Sequence, residues 1–173
     1  MTSKDGTRIG YDRYSAGPAV ILVQGAMGTT HSYRELAKQL AIDFTVYVPE
    51  RRERPLSPRS FSPDHSVDRE VEDLAAMFER LGAGFLFGLS SGAVIALEAA
   101  CVLPNVRKLV LYEPPLYVSP RRMRLDLVAC YSREVEAGKL PAALVSALMA
   151  SDLAPTILKL RRACSPRLRS RCS

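Results

Sequence analysis

A glycine-flanked serine gives this sequence its clearest capacity for covalent chemistry. Residues 85–100 read FLFGLSSGAVIALEAA: an apolar run, a glycine–serine segment, and an alanine-rich amphipathic run. This order predicts a strand, a sharp turn and a helix, with Ser90 at the turn. At a helix N-terminus, free N–H groups and the helix dipole favour negative charge. The pattern therefore predicts that Ser90 is a nucleophile for an acyl group.

The residues beside Ser90 fit the same interpretation. Gly88 and Gly92 complete the pattern G-x-S-x-G, and we expect them to be glycines because the turn is too tight for side chains there. The N–H of Ser91 is predicted to stabilise the negative oxygen that forms on the substrate. Short glycine–serine patterns arise by chance, but a strand before this one and a helix after it make it specific.

Strand-like and helix-like segments alternate through the first two thirds of the chain. Strands are predicted at residues 8–14, 19–23, 44–48, 85–87 and 106–112, and helices at 32–42, 66–82 and after the serine turn. The alternation predicts an α/β fold, with an open, mostly parallel sheet and helices on both faces. After residue 120 only helices are predicted, at 121–137, 140–150 and 152–162.

Four segments occur in an order that resembles a known family. DGTRIGYDRY, VILVQGAMG, FGLSSGAVIALEAA and VLYEPP are similar to the core of the α/β-hydrolase superfamily, in its lipase- and esterase-like branch, between about residues 4 and 150. The resemblance implies a serine hydrolase that acts on a small-molecule ester or related acyl substrate without a metal or organic cofactor. It also implies that the N–H of Ala26, with Met27 as a further candidate, completes an oxyanion hole with Ser91.

Two positions depart from the family pattern. Gln24 stands where the family usually has a histidine that shapes the oxyanion loop, a change that should be tolerated. The stretch YVPERRERPLS stands where the family usually has an aspartate, an arginine and a glycine-rich turn. Because the glycines are missing, this turn is expected to be either misformed or rebuilt.

The acid and base that would activate Ser90 must come from other parts of the sequence. In this fold the chain order is serine, acid, histidine. Glu113 follows the strand at 106–112 and is the candidate acid, although it could merely hydrogen-bond neighbouring loops. Both histidines, His31 and His65, precede Ser90. His31 is the candidate base because it begins the helix after the oxyanion loop; a surface role is the alternative, and His65 is the weaker candidate.

Composition changes near the end of the sequence. We expect an α/β core at residues 1–118, a partial helical cap at 119–160 and a basic irregular tail at 161–173. The resemblance suggests a hydrolase truncated before its last strands and catalytic histidine, and therefore impaired. An alternative is a non-catalytic module that acts by binding or by forming a homo-oligomer through exposed cap helices.

Charge, hydropathy and residue spacing argue against nucleic-acid-binding, membrane-spanning, metal-binding and dinucleotide-binding proteins. The net charge of +6 comes from the six basic residues after position 158; the remainder has 18 basic and 18 acidic residues, which predicts no nucleic-acid partner. No apolar run reaches the roughly 20 residues of a membrane span, and a cytoplasmic location is expected.

The four cysteines lack metal-site spacing. Gly82, Gly84 and Gly88 precede or span a strand, which excludes a dinucleotide-binding loop.

Overall fold

A computed structural model describes residues 1–58, 64–116 and 125–150 of the chain. The chain divides into two units, Met1–Pro115 and Leu116–Ser173. The helix predicted at 152–162 and the tail predicted at 161–173 lie outside the described residues.

The first unit contains a five-stranded sheet with the order β1-β3-β2-β4-β5. Its strands are β1 (Tyr11–Tyr14), β2 (Ala19–Val23), β3 (Thr45–Pro49), β4 (Phe85–Leu89) and β5 (Lys108–Tyr112). β1 pairs with β3 in the antiparallel sense, and the other three pairings are parallel. The predicted mostly parallel sheet is confirmed. The continuous β-branched run in β2 suits this arrangement because a central parallel strand is covered on both faces.

Helices follow the strands as the sequence pattern predicts. They are a 3₁₀ helix (Thr30–Tyr33), α1 (Arg34–Leu40), α2 (Val67–Leu81), α3 (Ser91–Val102), α4 (Leu125–Glu136) and α5 (Leu140–Ala150). Ser66 caps the N-terminus of α2, since its hydroxyl accepts a hydrogen bond from the Arg69 N–H. Gly82 ends α2 in the left-handed conformation that glycine adopts without strain.

Apolar side chains cover both faces of the sheet. On one face, Ile21 and Val23 of β2 pack in a cluster with residues of α2 and α3, including Met77 and Ile95. On the other face, the alternate β2 residues pack in a second cluster with Ala37 of α1. Each fully buried aliphatic side chain contributes about 1.5–3 kcal/mol. Burial on both faces therefore holds the carboxyl end of β2 and the neighbouring loops in place.

The second unit is described only as a pair of packed helices. Leu127 and Cys130 of α4 and Ala143 of α5 are buried. The Ser146 hydroxyl donates a hydrogen bond to Glu134 at 2.6 Å. Among all the helices in the described residues, none is long and apolar enough to cross a membrane.

Candidate active site

Ser90 has a backbone conformation that non-glycine residues rarely adopt. It lies between β4 and α3 with φ 53° and ψ −121°. Such a conformation costs on the order of 1–3 kcal/mol and persists only where the surrounding structure imposes it. The Ser90 N–H donates to the Tyr112 carbonyl at 2.9 Å, and the Ser90 carbonyl accepts from Ala93 and Val94. These hydrogen bonds fix the serine between the end of the sheet and the first turn of α3.

The two glycines of the serine turn lie where no side chain fits. A Cβ at Gly88 would lie 2.6 Å from the Ala93 Cα, and a Cβ at Gly92 would overlap the carbonyl oxygens of Val23 and Gln24. The first turn of α3 therefore packs directly against the end of β2. This close approach brings the loop after β2 beside Ser90.

The loop after β2 contacts the serine itself. A Cβ built at Gly25 would lie 3.1 Å from the Ser90 Cβ and 3.7 Å from its Oγ. Ala26, the next residue, is exposed. In the part of the chain that the structure describes, the N–H groups of Ala26 and Ser91 have no hydrogen-bond acceptor. Met27 has φ 59° and a solvent-exposed side chain.

Neither candidate partner from the sequence contacts the serine hydroxyl. Glu113 follows β5 at the same sheet edge as Ser90, because Leu89 and Tyr112 are paired in the β4–β5 ladder. Its side chain is exposed, and its φ is 48°. His31 is an exposed residue of the 3₁₀ helix. Within residues 1–58, 64–116 and 125–150, neither side chain hydrogen-bonds to the Ser90 Oγ.

His65 is engaged elsewhere. Its Nδ1 lies 2.9 Å from Glu53 Oε2, and its Nε2 lies 3.1 Å from Glu70 Oε1. Burial favours the neutral ring, but hydrogen bonds and charge from the two carboxylates outweigh it and raise the His65 pKa above its ordinary value of 6.5. Both ring nitrogens therefore lie within hydrogen-bond distance of carboxylates, and neither nitrogen is free to serve Ser90.

Sequence reasoning missed an arginine behind the serine turn. The Arg51 guanidinium forms a two-point ion pair with Glu70, with Nε–Oε2 and Nη2–Oε1 distances of 2.6 and 2.5 Å. Its Nη1 also donates to the Ser91 Oγ at 3.1 Å and to the Gln24 carbonyl at 3.3 Å. Burial raises the pKa of Glu70, but Arg51 and then His65 more than offset that effect and hold the pKa below its usual range.

Gln24, which stands where the family usually has a histidine, connects two neighbouring strands of the sheet. Its side chain is fully buried, and its Nε2 donates to the Pro49 carbonyl at 2.5 Å. This hydrogen bond ties the end of β2 to the end of β3. The loop for which the sequence predicts a misformed or rebuilt turn starts there, and two of its arginines form ion pairs with α2.

The two buried acidic side chains of α2, Glu70 and Asp73, are paired with arginines. Arg52 makes a two-point ion pair with Asp73, at 2.8 and 2.6 Å, next to the pair formed by Arg51 and Glu70. Among the described residues, no group of three or more His, Cys, Asp or Glu side chains is arranged to hold a metal ion.

Comparison with known proteins identifies the family. A family model described as "Alpha/beta hydrolase family" matches residues 20–171. The chain belongs to this family. It is 35% identical over 124 residues to N-formylmaleamate deformylase of Pseudomonas putida, a match that covers 69% of this chain and 46% of the relative. It is 29% identical over 115 residues to the uncharacterised hydrolase YraK of Bacillus subtilis, which covers 64% of this chain and 42% of that protein.

Solved structures agree with this assignment. An alpha/beta hydrolase from Sphaerobacter thermophilus superposes with a TM-score of 0.81 at 32% identity, covering 99% of this chain and 67% of that one. An esterase from Exiguobacterium antarcticum, at 15% identity, shares the fold with a TM-score of 0.66, covering 79% of this chain and 55% of the esterase. The chain spans about half the length of the curated relatives it matches.

Proposed function

We propose that the protein is a serine hydrolase of small-molecule esters or related acyl compounds, with Ser90 as its nucleophile. The observation that carries the proposal is the strained conformation of Ser90 at the β4–α3 turn. The turn presents the hydroxyl beside Gly25 and the start of α3, where N–H groups are available to an anion.

The reaction follows from this placement. The Ser90 Oγ attacks the acyl carbon and its proton passes to a base, while the carbonyl π electrons move to the oxygen. The N–H groups of Ser91 and Ala26, with Met27 as a further donor, stabilise that oxyanion. The bond to the leaving alcohol or amine then breaks, and the leaving group takes the proton. Water hydrolyses the acyl-serine, which releases the acid and restores Ser90.

The supply of the base sets the rate. His31 and Glu113 are the candidates for base and acid that this sequence offers, and neither hydrogen-bonds to Ser90 in the described residues. We therefore expect these 173 residues on their own to acylate slowly. An oxyanion hole and substrate binding alone retain about 10³-fold acceleration over water.

One relative suggests where to begin with substrates. N-formylmaleamate deformylase is named for the removal of a formyl group, and it is 35% identical to this chain over 124 residues. We propose a small acyl group, such as formyl or acetyl, on an ester or amide. Solved structures of low sequence identity, such as the esterase from Exiguobacterium antarcticum, support only the fold.

Trapping of an acyl-enzyme tests the proposal. After incubation with p-nitrophenyl acetate, intact mass and peptide mapping should find one acetyl group on Ser90. Ser90→Ala should abolish that adduct. Ser132→Ala, which removes an exposed hydroxyl from α4, is the control and should leave it unchanged. Acetylation spread over surface side chains, equal in all three proteins, would contradict the proposal.

A second candidate is self-association through α4 and α5. Val128, Tyr131 and Val135 form an exposed stripe on α4, because residues three and seven apart share a helix face. We propose this stripe as a contact with a second copy of the chain. Sedimentation should show a dimer that the double variant Val128→Ser/Val135→Ser dissociates. Val102→Ser, an equally conservative change at an exposed site on α3, should not affect it. A monomeric wild type would exclude this candidate.

A further inference from the structure

Arg51 contacts the two segments that provide the proposed oxyanion donors. One nitrogen of its guanidinium, Nη1, donates both to the Gln24 carbonyl, at 3.3 Å, and to the Ser91 Oγ, at 3.1 Å. The Gln24 carbonyl belongs to the peptide unit immediately before the one that carries the Ala26 N–H. Ser91 carries the other proposed donor. Arg51 thus bridges the loop after β2 and the start of α3.

The remaining guanidinium nitrogens are fixed from the other side. Glu70 accepts from Nε and Nη2, so all three guanidinium nitrogens are engaged. The side chains of Arg51 and Glu70 are 15% and 6% exposed, which limits solvent competition for these hydrogen bonds. The Nε2 of His65 in turn lies 3.1 Å from Glu70 Oε1. A planar guanidinium held at two edges has little freedom to rotate.

The charges favour a geometric role over an electrostatic one. A cation at the N-terminus of α3 would be opposed by the helix dipole. The Glu70 carboxylate neutralises Arg51, and Glu70 itself lies in the first turn of α2, where a negative charge is favourable. The ion pair therefore adds little net electric field at Ser90. An effect of Arg51 on Ser90 must come from the way that its hydrogen bonds hold the neighbouring segments in place.

We propose that Arg51 is a positioning residue that holds the loop after β2 and the start of α3 at a fixed separation, and so aligns the N–H groups of Ala26 and Ser91 on one oxyanion. The inference rests on the proposed function for its catalytic consequence. Its structural part, a bridge between two segments 27 and 40 residues away in sequence from Arg51, stands on the hydrogen bonds themselves.

Arg52 provides a matched control. It also makes a two-point ion pair with an α2 carboxylate, Asp73, and its side chain is 2% exposed. Its other contacts are Asp5, at 3.0 Å, and the Arg69 carbonyl, also at 3.0 Å. Within the described residues it has no hydrogen bond to the loop after β2 or to the serine turn. Arg51→Lys and Arg52→Lys therefore lose comparable ion pairs, but only the first loses the bridge.

The test measures inactivation of Ser90 by a fluorophosphonate in the full chain. Arg51→Lys should lower the maximal inactivation rate about 10- to 100-fold, with the concentration for half-maximal rate nearly unchanged, as expected for misplaced oxyanion donors. Arg52→Lys should stay within about twofold of wild type. Added guanidinium ion should restore part of the rate to Arg51→Ala and none to Arg52→Ala. Equal rates for the two lysine variants would overturn the proposal.

Hydrogen exchange separates this proposal from the proposed function. Arg51→Lys should raise amide exchange in peptides covering residues 24–28 and 90–94, whereas Arg52→Lys should raise it near Asp5 instead. If wild-type Ser90 does not react with the probe, the proposed function fails, and the exchange pattern alone decides the bridge. Unchanged exchange at 24–28 in Arg51→Lys would overturn the positioning role.

Discussion

The two sides of Ser90 are built differently. Toward β2 and β3, the serine packs on Gly25, and the half-buried Arg51 and the buried Glu70 lie behind the adjoining loop. Toward β5, the Ser90 N–H donates to the Tyr112 carbonyl, and Glu113 beyond it is exposed. The segments that carry the proposed oxyanion donors are therefore held by contacts with largely buried side chains, whereas the candidate acid has no comparable support within the described residues.

This difference has an energetic consequence. Removal of one partner from a buried ion pair leaves an uncompensated charge, which costs about 3–5 kcal/mol. Removal of an exposed charge usually changes stability by less than about 0.5 kcal/mol. Substitutions on the β2–β3 side should thus lower both the stability of the protein and the reactivity of Ser90. Substitutions on the β5 side should change only the reactivity of Ser90.

The largest effect is expected from Gly92→Ala. The added Cβ would overlap the backbone oxygens of Val23 and Gln24, which cannot move without displacing the end of β2. We expect a loss of about 4 kcal/mol or more in the free energy of unfolding, measured by urea denaturation. Gly82→Asn is the control. Gly82 has a left-handed backbone conformation but open space around it, so this substitution should lower the free energy of unfolding by less than about 1 kcal/mol. Similar losses at both positions would remove the argument for tight packing at the serine turn.

A smaller loss of stability is expected from Glu70→Gln, on the β2–β3 side of Ser90, than from Gly92→Ala. Glu70→Gln removes the charge that compensates Arg51 and should cost about 3 kcal/mol. Glu113→Gln, a chemically identical change at an exposed site, should cost less than about 0.5 kcal/mol. Urea midpoints of the two variants test this contrast. Losses of the same size would show that the β5 side is as tightly built as the other.

The pH dependence of stability should report on His65. Because its pKa is raised in the folded protein, the stabilisation from its protonated ring is fully present below about pH 6.5 and is lost as pH rises through the higher folded pKa. Glu53 and Glu70 are the charged groups that face the ring. His65→Gln should therefore be destabilised relative to wild type more at about pH 6 than at about pH 9.

The other histidine serves as the control for that experiment. His31→Gln removes an exposed ring from the 3₁₀ helix. If His31→Gln reproduced the pH-dependent loss and His65→Gln did not, the account of the contacts between His65 and the two carboxylates would be wrong.

The smallest effect is expected at Glu113. A φ of 48° is unfavourable for any residue with a Cβ, so Glu113→Gly should leave stability unchanged or raise it by up to about 1 kcal/mol. If Glu113 is the catalytic acid, the same variant should lose reactivity at Ser90 with no loss of stability. A marked destabilisation would instead show that the carboxylate has a structural role.

Local pattern was enough to predict the sheet and the serine turn, but not the contacts behind them. The run at residues 85–100 encodes its strand, turn and helix within neighbouring positions, so periodicity and glycine placement predicted them. Arg51 meets Ser91 across 40 residues of sequence. A charged, proline-rich loop has no periodicity that could indicate such a pairing.

A weaker signal for the missed residues does exist in the sequence. Glu70 and Asp73 lie three positions apart in α2, next to its buried positions Leu74 and Met77. Two carboxylates at the edge of an apolar helix face call for cationic partners, and Arg51 and Arg52 in the preceding loop are the nearest candidates. The pairing follows only when the fold brings that loop over α2.

The central claim is that Ser90 is a reactive nucleophile in a preorganised site. Its most direct test is labelling of the full chain with a fluorophosphonate, followed by peptide mapping. The account predicts a single adduct on Ser90 that forms faster than on any other serine and disappears on heat unfolding and in Ser90→Ala. A folded protein in which Ser90 reacts no faster than an exposed serine such as Ser132 would contradict it.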